Sequence, residues 1–220
     1  MDFLTKIIIR FKKIKIILVT GKGRGYTSEV IWQVLNTKFQ PKKLIEKTPS
    51  LSDVLSNNLF IIETDFKNRK IFKKLVSFAK LSQLPVLVAT HIGVVPEHSD
   101  FFAGDKKEAA EIQRFAQLIP PYGFLILNFD DKTIRAIDNA TNLKNFTFGF
   151  QEGADFRASD VHTNTGTNFK INYKGKIIPV WQEKLIGKEY IYSSLATSCV
   201  GIVLGLNFVE ISEALKNCKL

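Results

Sequence analysis

Lys15-Ile16-Ile17-Leu18-Val19-Thr20-Gly21-Lys22-Gly23-Arg24-Gly25-Tyr26-Thr27-Ser28 decides how this 220-residue chain is read. An unbroken apolar run closes on a turn with glycine at every second position. Residues 27–38 then carry Val30, Ile31, Val34 and Leu35 at helical spacing. A strand buried on both faces is written as such a run, and a glycine-rich step from it into a helix opens a βαβ unit. The same pattern recurs downstream. Residues 59–64 (LFIIET) precede a basic helix over 68–81, 85–92 (PVLVATHI) precede a helix over 106–118, and 124–129 (FLILNF) precede a short helix over 132–140. Strands alternating with helices predict a parallel sheet covered on both faces, with right-handed crossovers.

After residue 145 the rhythm changes. Residues 146–150, 156–161, 169–173 and 177–181 are short alternating segments, and Tyr173-Lys174-Gly175-Lys176 has the look of a hairpin turn. Two helices close the chain, over 190–206 and 209–217, with Asn207 placed as a C-cap. The expected fold class is α/β: a doubly wound, mostly parallel sheet with a small antiparallel addition. It forms one domain over 15–220 behind an N-terminal basic amphipathic segment, 1–14.

Composition narrows the function classes. Apolar residues at 45% and charged residues at 24% are the balance of a globular chain, which excludes wholesale disorder. No stretch approaches the roughly 20 apolar residues of a membrane span. Cys199 and Cys218 are the only cysteines, which excludes a disulfide scaffold and a cysteine-based zinc site and fits a reducing cytoplasm. A net charge of +10 favours acidic partners. Residues 3–17 interleave Phe3, Leu4, Ile7, Ile8, Phe11 and Ile14 with Lys6, Arg10, Lys12, Lys13 and Lys15. Such a segment either lies peripherally on an anionic membrane surface or packs its apolar stripe on its own domain. It does not read as a signal peptide, because Asp2 precedes any basic residue and lysines interrupt the apolar run. Lys67, Arg69, Lys70, Lys73, Lys74 and Lys80 lie on one amphipathic helix, by default a solvated face. No aromatic-basic interleaving accompanies them, so nucleic acid is not an expected partner.

The chemistry centres on the turn. Backbone N–H groups at a helix start cradle phosphates, and glycines let the backbone approach them; a tight βα turn also uses glycine without any ligand. The strict G-x-x-x-x-G-K-[ST] pattern is absent. Asp130 and Asp131 stand where a helix N-cap is expected. His91 ends a strand and could face a cleft, His162 is expected at the surface, Cys199 in the core, and Trp32 and Trp181 in packing. No serine or cysteine sits near a recognisable base, so no catalytic residue is assigned.

From about residue 15 to 217 the chain resembles the central, ATP-binding domain of the Mur ligases, most closely the D-alanyl-D-alanine-adding members. The carrying motifs, in order, are Thr20-Gly21, Glu63-Thr64-Asp65, Thr90-His91-Ile92-Gly93, Leu127-Asn128-Phe129-Asp130-Asp131, Phe148-Gly149, Ala154-Asp155-Phe156-Arg157-Ala158, Gly187-Lys188-Glu189-Tyr190-Ile191-Tyr192-Ser193 and Glu210-Ile211-Ser212-Glu213-Ala214-Leu215. The resemblance implies ATP and Mg²⁺ as cofactors. It implies a nucleotide loop of Gly21, Lys22, Gly23, Arg24, Gly25, Tyr26 and Thr27, and metal contacts from Glu63 and His91. The departures from the family pattern fall on that chemistry. The loop is one residue short. In one register Arg24 replaces the lysine and Gly25 the Mg²⁺-binding threonine; in the other Tyr26 replaces the lysine while Thr27 keeps the hydroxyl. The family's metal-binding histidine falls at Pro96, its carbamylated lysine near Ile112, and its adenine-side His-Asn pair at Glu189-Tyr190. The resemblance also implies flanking substrate and C-terminal domains, expected to be absent here.

The expected function is therefore a degenerate, cytoplasmic Mur ligase-like module. It would be linked to peptidoglycan precursor synthesis and to cell-wall synthesis proteins, binding or scaffolding without ATP-driven ligation. The alternative is a nucleotide-binding subunit working with separate partner domains.

Overall fold

The computed structural model describes residues 3–98, 100–163, 166–182 and 187–219. The described strands are β1 (Lys15–Thr20), β2 (Lys42–Ile45), β3 (Leu59–Glu63), β4 (Leu84–Ala89), β5 (Phe124–Asn128), β6 (Lys144–Gly149), β7 (Phe156–His162), β8 (Thr167–Tyr173) and β9 (Lys176–Gln182). They form a single sheet in the order β2-β3-β1-β4-β5-β6-β7-β8-β9. The helices are α1 (Phe3–Phe11), α2 (Arg24–Asn36), α3 (Leu51–Ser56), α4 (Arg69–Leu81), α5 (Lys106–Ala116), the single turn α6 (Lys132–Arg135), α7 (Lys188–Leu204) and α8 (Phe208–Lys216).

The two-residue period of the strands divides the core in two. Ile17, Val19, Ile61, Val86, Val88 and Ile126 point to one face and pack with Val30, Ile31 and Val34 of α2 and with α7. Ile16, Leu18, Phe60, Ile62, Leu87 and Leu125 point to the other, against Ile9 of α1, Phe72 and Leu75 of α4 and Ile112 and Phe115 of α5. Because both faces are covered, the central strands are apolar without interruption, as the sequence pattern required. α7 is buried on almost every side, between α2 and strands β5 to β8. Its apolar residues therefore show no preferred face.

Several expectations need correction. β6 lies parallel to β5 over five register pairs, so it extends the parallel sheet and is not part of the antiparallel addition. β7 also joins in parallel, through only Phe148↔Phe156 and Gly149↔Arg157; antiparallel pairing is confined to β7–β8–β9. A parallel neighbour normally needs a long crossover. Here the strands overlap only where β6 ends and β7 begins, so a short loop suffices. The β8–β9 hairpin turns as expected on Lys174 and Gly175, both at positive φ (48° and 75°), the conformation of a type I′ turn. Asn207 is the N-cap of α8, in a capping box with Glu210, and the left-handed C-cap of α7 is Gly205. Trp181 is 62% exposed and does not pack in the core. Trp32 packs half-buried against the core, as expected, and donates its indole N–H to Pro41 O at 3.1 Å. Cys199 is fully buried, as expected. β2 and α3 were not anticipated.

Candidate functional site

β1 lies between β3 and β4; the helix after β1 crosses to one face of the sheet and the helix after β4 to the other. The C-terminal ends of β1 and β4 thus form a topological switch point, where open α/β sheets place their ligands. The glycine turn and residues 90–93 meet there. Gly21 has φ +99°, and a Cβ on it would lie 2.3 Å from Thr90 Oγ1. Thr90 Oγ1 donates to Thr20 O at 2.8 Å, and the Lys22 N–H donates to His91 O at 2.7 Å. The start of the turn is thus tied to the neighbouring strand end.

α2 starts at Arg24, with Gly23 as an N-cap that offers no side-chain acceptor. Gly23 is therefore the last turn residue, and Arg24 and Gly25 take the first two helical positions. The Arg24 side chain folds back: Nη1 donates to Gly21 O at 3.0 Å and Nε lies 3.7 Å from Glu63 Oε1. Glu63 faces the start of α2, and Ser28 Oγ, one turn on, donates to its Oε2 at 3.1 Å. A Cβ on Gly25 would sit 3.5 Å from Glu63 Oε1, so the glycine leaves room beside the carboxylate where a threonine side chain would project. Thr27 points away from the turn; its buried hydroxyl is 3.0 Å from Ser193 Oγ on α7. Tyr26 lines the groove, its phenol pushed up by partial burial and by the charge of Glu189.

Above the turn stands a pair that sequence reasoning missed. His91 Nε2 meets the Glu189 carboxylate at 2.9 Å to Oε1 and 3.0 Å to Oε2, and Nδ1 lies 3.0 Å from Gly93 O. Both ring nitrogens face acceptors, an arrangement that suits the imidazolium, whose two N–H groups both donate. Burial works to lower the His91 pKa. The hydrogen bonds to Glu189 and Gly93 O, with the charges of Glu189 and Asp131, outweigh it and leave the value raised. A Cβ on Gly23 would lie 3.1 Å from His91 Nε2 and 3.3 Å from Glu189 Oε2, so the pair sits directly over the helix start. Around it, Lys22, Gly23, Tyr26, Gly93, Val94 and Val95 line a groove of about 510 Å³, a volume in the small-molecule range. Of the expected loop residues, Lys22, Gly23 and Tyr26 border this space, Gly21 packs against Thr90, Arg24 and Gly25 face Glu63, and Thr27 is buried under α7. Among the described residues Glu63 meets Arg24 and Ser28, whereas His91 meets Glu189 and Gly93. Among the described residues no three His, Cys, Asp or Glu side chains converge as a metal site.

The neighbouring carboxylates are structural. Asp131 caps α6 and also accepts the N–H groups of Ile92 and Gly93, both at 2.9 Å. Asp130 accepts from Phe150 N, Gln151 N and Tyr192 Oη at 2.7, 3.1 and 2.8 Å. Burial nevertheless raises its carboxyl, and burial together with Asp130 raises the Tyr192 phenol strongly.

The raised His91 pKa has a testable sign. The stabilisation from the charged pair is fully present below the ordinary histidine value of about 6.5 and is lost as pH rises through the higher folded value. Urea unfolding at a series of pH values should give a stability that falls above pH 6.5 in the parent. The fall should be visibly shallower in Glu189→Gln; equal slopes would refute the assignment.

The Mur ligase middle domain family matches residues 43–201, most of the chain. The chain belongs to the Mur ligase family. Over 222 residues it is 29% identical to a UDP-N-acetylmuramate–L-alanine ligase of Persephonella marina, an alignment covering 96% of this chain and 44% of that protein. It is 32% identical over 142 residues to the Syntrophus aciditrophicus protein of the same name, covering 64% and 29%. Among solved structures, MurF from Acinetobacter baumannii matches at TM-score 0.73 and 18% identity, covering 98% of this chain and 48% of that one. The Thermotoga maritima MurF ligase in complex with ADP matches at 0.69 and 19%, covering 100% and 52%. This Mur ligase middle domain therefore spans less than half the length of the curated relatives it matches, and its likeness to the solved structures concerns the fold.

Proposed function

We propose that the chain is a Mur ligase-like module of peptidoglycan precursor synthesis that binds or scaffolds and does not drive ATP-dependent ligation by itself. One observation carries this reading: the His91–Glu189 pair stands over the N-terminus of α2, where a phosphate cradle must be open. A second contact supports it. Glu63, which a metal would need as an anionic ligand, already has the Arg24 guanidinium and the Ser28 hydroxyl against it. A hard dication requires several oxygen ligands, and the residues around Glu63 do not fit Mg²⁺. The proposed partners are cell-wall synthesis proteins that supply the remaining steps. The motif run favours the D-alanyl-D-alanine-adding branch, while the curated relatives are named L-alanine ligases; the proposal rests on the family and on neither branch.

The alternative, a nucleotide-binding subunit of a D-alanyl-D-alanine-adding ligase working with separate partner domains, is favoured by the exposed Lys22, the uncapped start of α2 and the ADP complex of a related fold. Isothermal titration with Mg-ATP separates the two. Our reading expects no sub-millimolar binding. The alternative expects binding that Arg24→Ala weakens by roughly 1–3 kcal/mol, the range for a charged hydrogen-bond partner.

A further inference from the structure

α1 is apolar on two opposite sides. Ile9 is buried against the domain, while Leu4, Ile7 and Phe11 form an outward stripe at i, i+3 and i+7, exposed by 61%, 37% and 81%. An uncovered apolar row at helical spacing costs solvation and contributes nothing to this fold. Leu55 of the adjoining α3, 57% exposed, extends the apolar surface; its carbonyl accepts from Lys12 Nζ at 2.7 Å, which ties the two helices.

The surroundings of the stripe are cationic. Arg10, Lys13 and Lys80 line one groove where the C-terminal ends of α1 and α4 meet. Lys6, Arg10, Lys13 and Lys80 have no carboxylate within 4.0 Å among the described residues. α4 continues the field with exposed Lys70, Lys73 and Lys74, and neither α1 nor α4 contains an acidic residue. Both helices cover the same face of the sheet. We infer that this face docks on an anionic phospholipid surface, with Leu4, Ile7 and Phe11 entering the headgroup boundary and the free cations over the lipid phosphates. Charge complementarity selects this occupant. A helix with an exposed apolar stripe and a cationic flank binds such interfaces by insertion and attraction together. A protein partner or second copy covering the stripe would leave this group of cations without counter-charges unless it happened to match them.

Co-sedimentation of the full chain with vesicles of phosphatidylglycerol mixed with phosphatidylcholine, against phosphatidylcholine alone, tests the inference. Binding is expected only to the mixed vesicles and should weaken steeply with salt. It should fall roughly fivefold for each of Lys6→Gln, Arg10→Gln and Lys13→Gln, and by about tenfold or more in Phe11→Ser. All four sites are exposed, so thermal melts of the variants should match the parent, and the charge variants leave the stripe intact as a second test. Equal binding to neutral vesicles, no binding to mixed ones, or indifference to both classes of variant would overturn the inference. So would a dimer in sedimentation equilibrium that Phe11→Ser dissociates, which would assign the stripe to a second copy.

Discussion

Asp131→Ala should unfold about 3–5 kcal/mol more easily than the parent in urea, one of the largest losses any single substitution here would cause. The carboxylate is fully buried and divides its two oxygens. Oδ2 accepts from Ile92 N and Gly93 N, and Oδ1 from Thr133 N at 3.0 Å and Ile134 N at 3.4 Å. Removing it strips the N-cap from α6, worth about 1 kcal/mol. It also strands two buried donors beyond β4, each costing about 1–3 kcal/mol. Asp131→Asn is the control. Its amide NH₂ must face donors on one side, so it should recover little despite its nearly identical shape. A loss below about 1 kcal/mol for Asp131→Ala would mean that the loop after β4 is held by other contacts.

Gly21→Ala should cost about 2–4 kcal/mol, from two separable sources. Its φ of +99° lies where L side chains are strained, and the added Cβ would be 2.3 Å from Thr90 Oγ1 and 2.8 Å from His91 O. Thr90 cannot easily retreat, because its hydroxyl is bound to Thr20 O. The double variant Gly21→Ala/Thr90→Ala removes the first clash and leaves the strain and the second. A double-mutant cycle should therefore show a favourable coupling on the order of 1 kcal/mol. Strict additivity would mean that the turn does not lie against β4 as described.

What could be read from the sequence divides along physical lines. β1, β3, β4 and β5 and the helices after them were legible because doubly covered strands leave unbroken apolar runs. β2 was not: in Lys42-Lys43-Leu44-Ile45 only Leu44 is buried, since the strand lies at the sheet edge. α3 had a usable signal in the Ser50/Asp53 capping box. The same kind of signal, Asn207 followed by Glu210, was misassigned to the end of α7. The turn was legible as a candidate site from its glycines, but its register was not. The helix starts at Arg24 and Thr27 is buried under α7, placements that no local spacing shows. The partnership of His91 with Glu189 joins residues 98 apart, and no local spacing encodes it.

The interior position of β1 has a consequence for how the molecule is made. Lys15 pairs with Leu59 on one side and Leu84 on the other, so this strand emerges from the ribosome long before either neighbour. The apolar side of α2 waits longer still, until α7 at residues 188–204 arrives to cover it. Nascent chains must therefore carry sticky surface through most of translation, with non-local pairing setting a slow pace of assembly. Shortened products that end before α7 should accumulate as aggregates or engage holdase chaperones.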